Sequence, residues 1–324
     1  MTDRLLEVRD LQTHFHTRAG VLKAVNGVSF TLERGEILGL VGESGSGKSV
    51  TGFSLIGLVD PPGRIAAGSS IRFDGQELVG LPQAQMRALR GKRIAMIFQD
   101  PAATLNPVLT IGQQMTMAVQ AHGGGGEAAA RALAARSLTR VGIPDAVARL
   151  DAYPHEFSGG MRQRVAIAIA LLHEPELIIA DEPTTALDVS IQAQILAEMK
   201  ALAKDSGTAL IWISHDLATV SSLADRVMVM YAGRIVERGA VADVLRAPIH
   251  PYTRGLLDSL PALATPGEKL AQIPGSTPSL LALPPGCPFA PRCPRASEAC
   301  RTDPPLVGDA QHGALCHHPL EVVA

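Results

Sequence analysis

The eight residues Gly42-Glu43-Ser44-Gly45-Ser46-Gly47-Lys48-Ser49 constrain this chain more than any other stretch. They match G-x-x-x-x-G-K-[ST], follow directly on the apolar run Ile37–Val41, and precede a helical pattern. In a strand–turn–helix of this kind the glycines let backbone N–H groups turn inward around an anion. Gly42, Ser44, Gly45, Ser46 and Gly47 would form the cradle. Lys48 would neutralise phosphate charge, and the Ser49 hydroxyl suits Mg²⁺. Such a loop sits at the C-terminal edge of a parallel sheet, so this part of the chain is expected to be α/β.

The rest of the first 240 residues fits that expectation. Ile94–Phe98, Leu177–Ala180 and Ala209–Ile213 are near-continuous apolar runs, as strands buried on both faces require. Leu6–Leu11 and Val25–Leu32 read as antiparallel strands. Val227–Tyr231, Ala232-Gly233 and Arg234–Glu237 read as a hairpin. Gly123–Gly126 is a surface loop ahead of a helix over Glu127–Val141. Trp212 reads as core, and Arg162 and Arg164 as solvated helix positions.

Two further motifs bear on phosphate chemistry. Leu177–Ala180 is a buried strand that ends in Asp181-Glu182. Asp181 would hold Mg²⁺ through water, and Glu182 would polarise an attacking water. Ser158-Gly159-Gly160 precedes Val165, Ala168, Ile169 and Leu172, which share one helix face. Ser158 is then a helix N-cap, and the uncluttered N-terminus behind it is an anion site suited to a γ-phosphate.

Composition narrows the class. With 324 residues, about two domains are expected. Hydrophobic residues are 46%, charged residues 19%, and the net charge is −2, which excludes a wholly disordered chain. Lys23, Lys48, Lys92, Lys200, Lys204 and Lys269 form no cluster, so no nucleic-acid partner is expected. The longest apolar run, Val165–Leu172, falls far short of the roughly 20 residues of a membrane span. The first residues lack a signal-peptide core, and the chain is expected to stay in the cytoplasm.

From about Pro248 proline becomes frequent and regular elements become hard to place. A small loop-rich module is expected over 246–324, joined to residues 1–245 through Pro248-Ile249-His250-Pro251-Tyr252. All four cysteines, Cys287, Cys293, Cys300 and Cys316, lie in it, spaced C-x5-C-x6-C-x15-C. A reducing compartment disfavours two disulfides. The spacing lacks the C-x2–4-C pairs usual for zinc. Four thiolates suit a [4Fe–4S] cluster; a zinc site and four unligated thiols are the alternatives. The part up to about residue 245 is expected to bind ATP without the tail.

The order Gly42–Ser49, Gln99, Ser158-Gly159-Gly160, Asp181-Glu182, Leu187-Asp188 and His215 resembles the ATPase subunits of ABC transporters: Walker A, Q-loop, signature, Walker B, D-loop and switch histidine. Gln99-Asp100-Pro101, Phe157-Ser158-Gly159-Gly160-Met161-Arg162-Gln163-Arg164 and His250-Pro251-Tyr252-Thr253 narrow the resemblance to the oligopeptide/dipeptide permease branch, close to its nickel-import relatives. Phe157 and Met161 depart from the common Leu-Ser-Gly-Gly-Gln, in the way that branch does.

The resemblance implies an α/β P-loop NTPase fold: a RecA-like core with antiparallel β and helical subdomains, the latter at about 100–170. It implies an ATPase that energises import of di- or oligopeptides, with nickel or another small solute as the alternative cargo. A soluble ABC-type ATPase acting on nucleic acid or ribosomes is a more distant alternative. The implied cofactors are ATP, Mg²⁺ held by Ser49, Gln99 and Asp181, and an iron–sulfur cluster in the tail. Glu182 would be the general base, His215 the γ-phosphate contact, Gln99 the sensor of Mg²⁺ or water, and Phe15 the adenine-stacking ring. Asp188 would join the nucleotide set. Two membrane-spanning permease subunits, a second homologous ATPase subunit and, indirectly, a solute-binding protein are the implied partners, at the cytoplasmic face of the membrane. Ser158-Gly159-Gly160 would act on the partner ATPase's nucleotide.

Overall fold

The computed structural model describes residues 4–184, 189–260 and 271–320. The chain divides into two compact units. One comprises residues 33–36 and 80–212 with the first three residues; the other comprises 4–32, 37–79 and 213–324.

In the first unit the strands Ile94–Ile97 and Leu177–Asp181 pair in parallel, Ile97 opposite Ala180. Every residue of Leu177–Asp181 is buried, as the unbroken apolar run predicted. Helices follow one another from Pro101 to Ala170. Among them, Ile111–Gln120 opens on a capping box in which Thr110 and Gln113 satisfy each other's backbone N–H groups. Glu127–Arg140 follows the glycine loop as expected. Arg164 corrects the sequence reading. It is buried rather than solvated, and donates to the Val141 carbonyl at 2.9 Å and to Gln194 Oε1 at 2.5 Å. The Val141 carbonyl ends the preceding helix, so a buried guanidinium completes what that helix leaves unpaired. Trp212 is fully buried, as expected.

The second unit holds two sheets. In the antiparallel one, Arg4–Thr17 lies between Gly20–Glu33 and Ser70–Phe73 and also pairs with Gly63–Ile65. Its register sets Leu6 opposite Phe73 and Val8 opposite Ile71, so each strand turns its apolar side chains to the same face. In the other sheet Ile37–Val41 pairs in parallel with Arg226–Tyr231. The predicted hairpin is present: Arg226–Tyr231 returns as Arg234–Ala240 through Ala232 and Gly233, both at positive φ. That conformation matches the twist of the flanking strands.

The tail departs from the sequence reading. The expected linker Pro248–Tyr252 is instead the start of a helix, Pro251–Asp258. Proline suits its first turn, and His250 Nδ1 accepts from the Tyr252 N–H at 3.0 Å. Tyr252, Tyr231 and Phe289 pack edge to face, with centroids 4.6–5.3 Å apart, all three fully or almost fully buried. The proline-rich segment also carries two short strands: Gly313–Leu315 pairs with Arg234–Ala240, and Leu306–Gly308 pairs with Gly313–Leu315. Glu237, buried in that hairpin strand, accepts from the Ile249 and His250 N–H groups and faces His312 Nε2 at 2.9 Å. The tail is thus packed onto the phosphate-loop strands by aromatic burial, strand pairing and a buried carboxylate.

Candidate functional site

The phosphate loop lies in the second unit. Two of its glycines are sterically required. A Cβ on Gly47, at φ 107°, would stand 2.1 Å from the Ala24 carbonyl oxygen; one on Gly42 would stand 2.1 Å from that of Met230. Real side chains never approach so closely, so the loop runs against backbone on both sides. Lys48 begins the helix Lys48–Leu55, is almost fully buried, and donates to the carbonyls of Gly42 at 2.8 Å and Glu43 at 3.0 Å. Ser49 sits in the first turn of that helix. Ser46 Oγ is buried with no hydrogen-bond partner among the described residues. An orphaned buried hydroxyl in a glycine-rich turn ahead of a helix fits an anionic guest.

Glu43 has two faces. Its carbonyl accepts from Lys48, while its carboxylate leaves the loop for the tail. Arg292 binds both oxygens, Nη1 to Oε2 at 2.5 Å and Nη2 to Oε1 at 3.0 Å, and Thr277 Oγ1 donates to Oε2 at 3.0 Å. Burial alone would raise the Glu43 carboxyl, but these bonds hold it below its ordinary value. The Glu43 N–H donates to Tyr252 Oη at 2.9 Å. None of these contacts was foreseen in the sequence. A lone arginine among prolines carries no local signal of a partner far away in the chain.

Phe15, the expected adenine-stacking ring, lies half-buried on Arg4–Thr17 opposite Gly63. A Cβ on Gly63 would stand 2.7 Å from the Phe15 ring. His215 follows Ala209–Ser214 and is exposed, just ahead of the Asp216-capped helix Leu217–Leu223.

The first unit brings Gln99 and Glu182 together. Parallel pairing of Ile97 with Ala180 carries the chain ends out side by side, and Gln99 Nε2 donates to Glu182 Oε2 at 3.3 Å. Asp181 is buried at the end of its strand, and Glu182 takes φ 44°, a left-handed conformation that non-glycine residues rarely adopt. Such outliers cluster where a side chain must be aimed. Ser158 caps Gly159–Ala170, its Oγ accepting from the Met161 N–H at 3.3 Å. Gly159 is exposed, with nothing within 4 Å of the place a Cβ would occupy. Asp188 lies outside the described residues.

All four cysteines are free, and Cys293 alone is not fully buried. Burial, with the neighbouring thiols Cys287, Cys293 and Cys300, pushes Cys316 up to about 11. Cys287 and Cys293 are also raised by burial. Among the described residues, no three Cys, His, Asp or Glu side chains are grouped closely enough to hold one metal ion. The single-zinc expectation, and the metal expectation for the tail in general, find no support in that arrangement. No helix among the described residues is long and apolar enough to cross a membrane.

The family described as "ABC transporter" matches residues 25–185, and the family "Oligopeptide/dipeptide transporter, C-terminal region" matches 236–300. The oligopeptide transport ATP-binding protein OppD of Salmonella typhimurium is 51% identical over 98% of this chain and 94% of its own length. The dipeptide transport ATP-binding protein DppD of Escherichia coli is 46% identical over 98% of this chain and 97% of its own. Among solved structures, the dimeric post-hydrolysis ATP-binding cassette MJ0796 bound to ADP and Pi shares the fold. Its TM-score is 0.66 at 23% identity, covering 73% of this chain and 99% of that one. With the expected P-loop, Ser158 cap and Asp181-Glu182 strand end all present, the chain belongs to the ABC transporter ATP-binding proteins, in the oligopeptide/dipeptide transport branch.

Proposed function

We propose that this chain hydrolyses ATP to drive import of di- or oligopeptides through two membrane-spanning permease subunits. The observation that carries the cargo class is the 51% identity to an oligopeptide transport ATP-binding protein across 98% of the chain. The match of residues 236–300 to the peptide-transporter C-terminal family supports it. The chain would work at the cytoplasmic face of the membrane, paired head to tail with a second, homologous ATPase.

The residue roles are those the family membership implies, set on the geometry described above. The Gly42–Ser49 loop binds phosphates, with Lys48 as the fixed positive charge and Phe15 against the adenine. Glu182 takes a proton from the attacking water, and Gln99, bonded to it, sets its orientation. His215 contacts the γ-phosphate. Ser49, Asp181 and Gln99 are the groups suited to Mg²⁺, which when bound offsets phosphate charge. Ser158, Gly159 and Gly160 present an exposed, unobstructed helix N-terminus, which supports action on the partner ATPase's nucleotide. Asp188 is assigned to the nucleotide-binding set. The apolar Val108 and Met117, 75% and 59% exposed, supply a surface near Gln99 in sequence for the permease to grip.

In the tail, we assign Cys287, Cys293, Cys300 and Cys316 as the residues that would hold a [4Fe–4S] cluster, which takes four thiolate ligands. The support is compositional: all four cysteines of the chain lie within residues 287–316 and all are free. Residues 1–245 and 246–324 then differ in task, although residues of both ranges pack in one unit.

The test is reconstitution in vesicles with the permease pair, the second ATPase and a solute-binding protein. Peptide-stimulated ATP hydrolysis with peptide uptake is expected. Stimulation by nickel and not by peptide would overturn the cargo, and ATPase activity evoked only by nucleic acid or ribosomes would overturn the transport role.

A further inference from the structure

We propose that Arg292, in the cysteine-bearing tail, is a positioning residue for nucleotide binding: through Glu43 it holds the Gly42–Ser49 loop in its phosphate-binding form. The inference rests on the ATP-binding role of that loop.

The geometry is unusually complete. Arg292 is buried, with 5% of its side chain exposed. Its Nη1 and Nη2 engage both Glu43 oxygens, Nε donates to the Pro274 carbonyl at 2.9 Å, and Nη1 also meets Tyr231 Oη at 3.3 Å. The guanidinium lies 5.8 Å over the Tyr231 ring. Its orientation is therefore set by backbone and ring contacts outside the loop, and Glu43 must come to it. The bidentate fork then fixes the Glu43 carboxylate in direction as well as distance.

What Glu43 transmits is readable from its backbone. Its N–H donates to Tyr252 Oη, and its carbonyl accepts from the Ser46 N–H at 3.2 Å and from Lys48 Nζ at 3.0 Å. One residue thus joins the tail to the lysine that serves the phosphates and to the turn bearing the orphaned Ser46 hydroxyl. Loss of the fork frees the side chain of a residue whose own carbonyl anchors that lysine.

A docking role alone does not account for the pair. Tyr231, Tyr252 and Phe289 already bury the tail against the unit. A buried ion pair adds little stability over apolar residues of similar size, whereas leaving one partner alone is costly. The pair therefore behaves as an all-or-none latch whose free end is the phosphate loop. A chain ending near residue 245 lacks Arg292, so on this proposal it still binds ATP but more weakly than the full chain.

The experiment uses the full chain, titrated with a fluorescent ATP analogue in Mg²⁺, with thermal melts in parallel and steady-state kinetics in the assembled transporter. Arg292→Met is expected to weaken nucleotide binding about tenfold or more, as misplacement of a binding element does. KM for ATP should rise while kcat stays within about twofold, since the groups at Gln99 and Glu182 are untouched. Glu43→Gln should match it, and the double variant should be no worse than either alone. Arg292→Lys should recover part of the affinity, and Arg301→Ala, an exposed tail position, none of the loss. Where Arg292→Met does not melt cooperatively, Glu43→Gln carries the same measurement. A folded variant that binds nucleotide within twofold of wild type overturns the latch while leaving the ATPase role standing. Wild-type chain that fails to bind nucleotide overturns both.

Discussion

Gln99 and Glu182 are hydrogen-bonded across 3.3 Å, from residues that leave adjacent parallel strands at the same level. The amide donates to the carboxylate and so fixes the direction in which Glu182 points. It also ties Glu182 to the segment that continues toward the exposed Val108 and Met117.

Replacing Glu182 with Gln is expected to leave nucleotide binding intact and to lower turnover about 10²–10⁴-fold, the usual contribution of a general base. Steady-state hydrolysis by the assembled transporter is the measurement. Turnover within a few-fold of wild type would remove Glu182 from that role.

Replacing Gln99 with Glu removes the donor and sets a second carboxylate beside Glu182. Like charges at that range repel, so turnover of the assembled transporter should fall further than in Gln99→Ala. Equal turnover in the two variants would show that the two side chains do not meet during turnover.

The glycines of the phosphate loop should differ sharply. Gly47→Ala drives a Cβ into the Ala24 carbonyl, so nucleotide binding should be lost or the fold disrupted. Gly45→Ala meets nothing within 4 Å and suffers only the strain of φ 77°, about 1–2 kcal/mol. Thermal melts and nucleotide titrations of both would decide it, and equal effects would contradict the described backbone.

His250 makes stability depend on pH. Burial lowers it from 6.5 to about 4, and its Nδ1 must stay unprotonated to accept from Tyr252. The unfolded chain takes up a proton near pH 6.5 that the folded chain refuses until about pH 4, so stability falls as pH drops through that window. The loss should approach roughly 3 kcal/mol for this one group. Denaturant midpoints at pH 7 and pH 4.5 measure it, and His250→Asn, which keeps an acceptor, should flatten the difference.

Much of this was legible in local pattern. Leu177–Asp181, Ala209–Ser214 and Ile37–Val41 are buried along their whole length because parallel strands are covered on both faces. Ser158 caps its helix for the reason its side chain suggests. What escaped was long-range pairing. Arg164 looks solvated on a helical wheel because nothing nearby reveals the Val141 carbonyl and Gln194. Pro251 looks like a linker until His250 is seen to cap the turn that follows. Glu43 reads as a spacer between loop glycines, since its carboxylate answers to a residue in another part of the chain.

Glu43 and Arg292 are separated by 249 residues. A ribosome adding about 5–20 residues per second needs roughly 10–50 s to bring the second out after the first. During that interval the P-loop is synthesised but its outward carboxylate has no counter-ion. On the proposed role of the pair, the phosphate loop reaches its full affinity for nucleotide only after the segment that carries Arg292 has been made and docked.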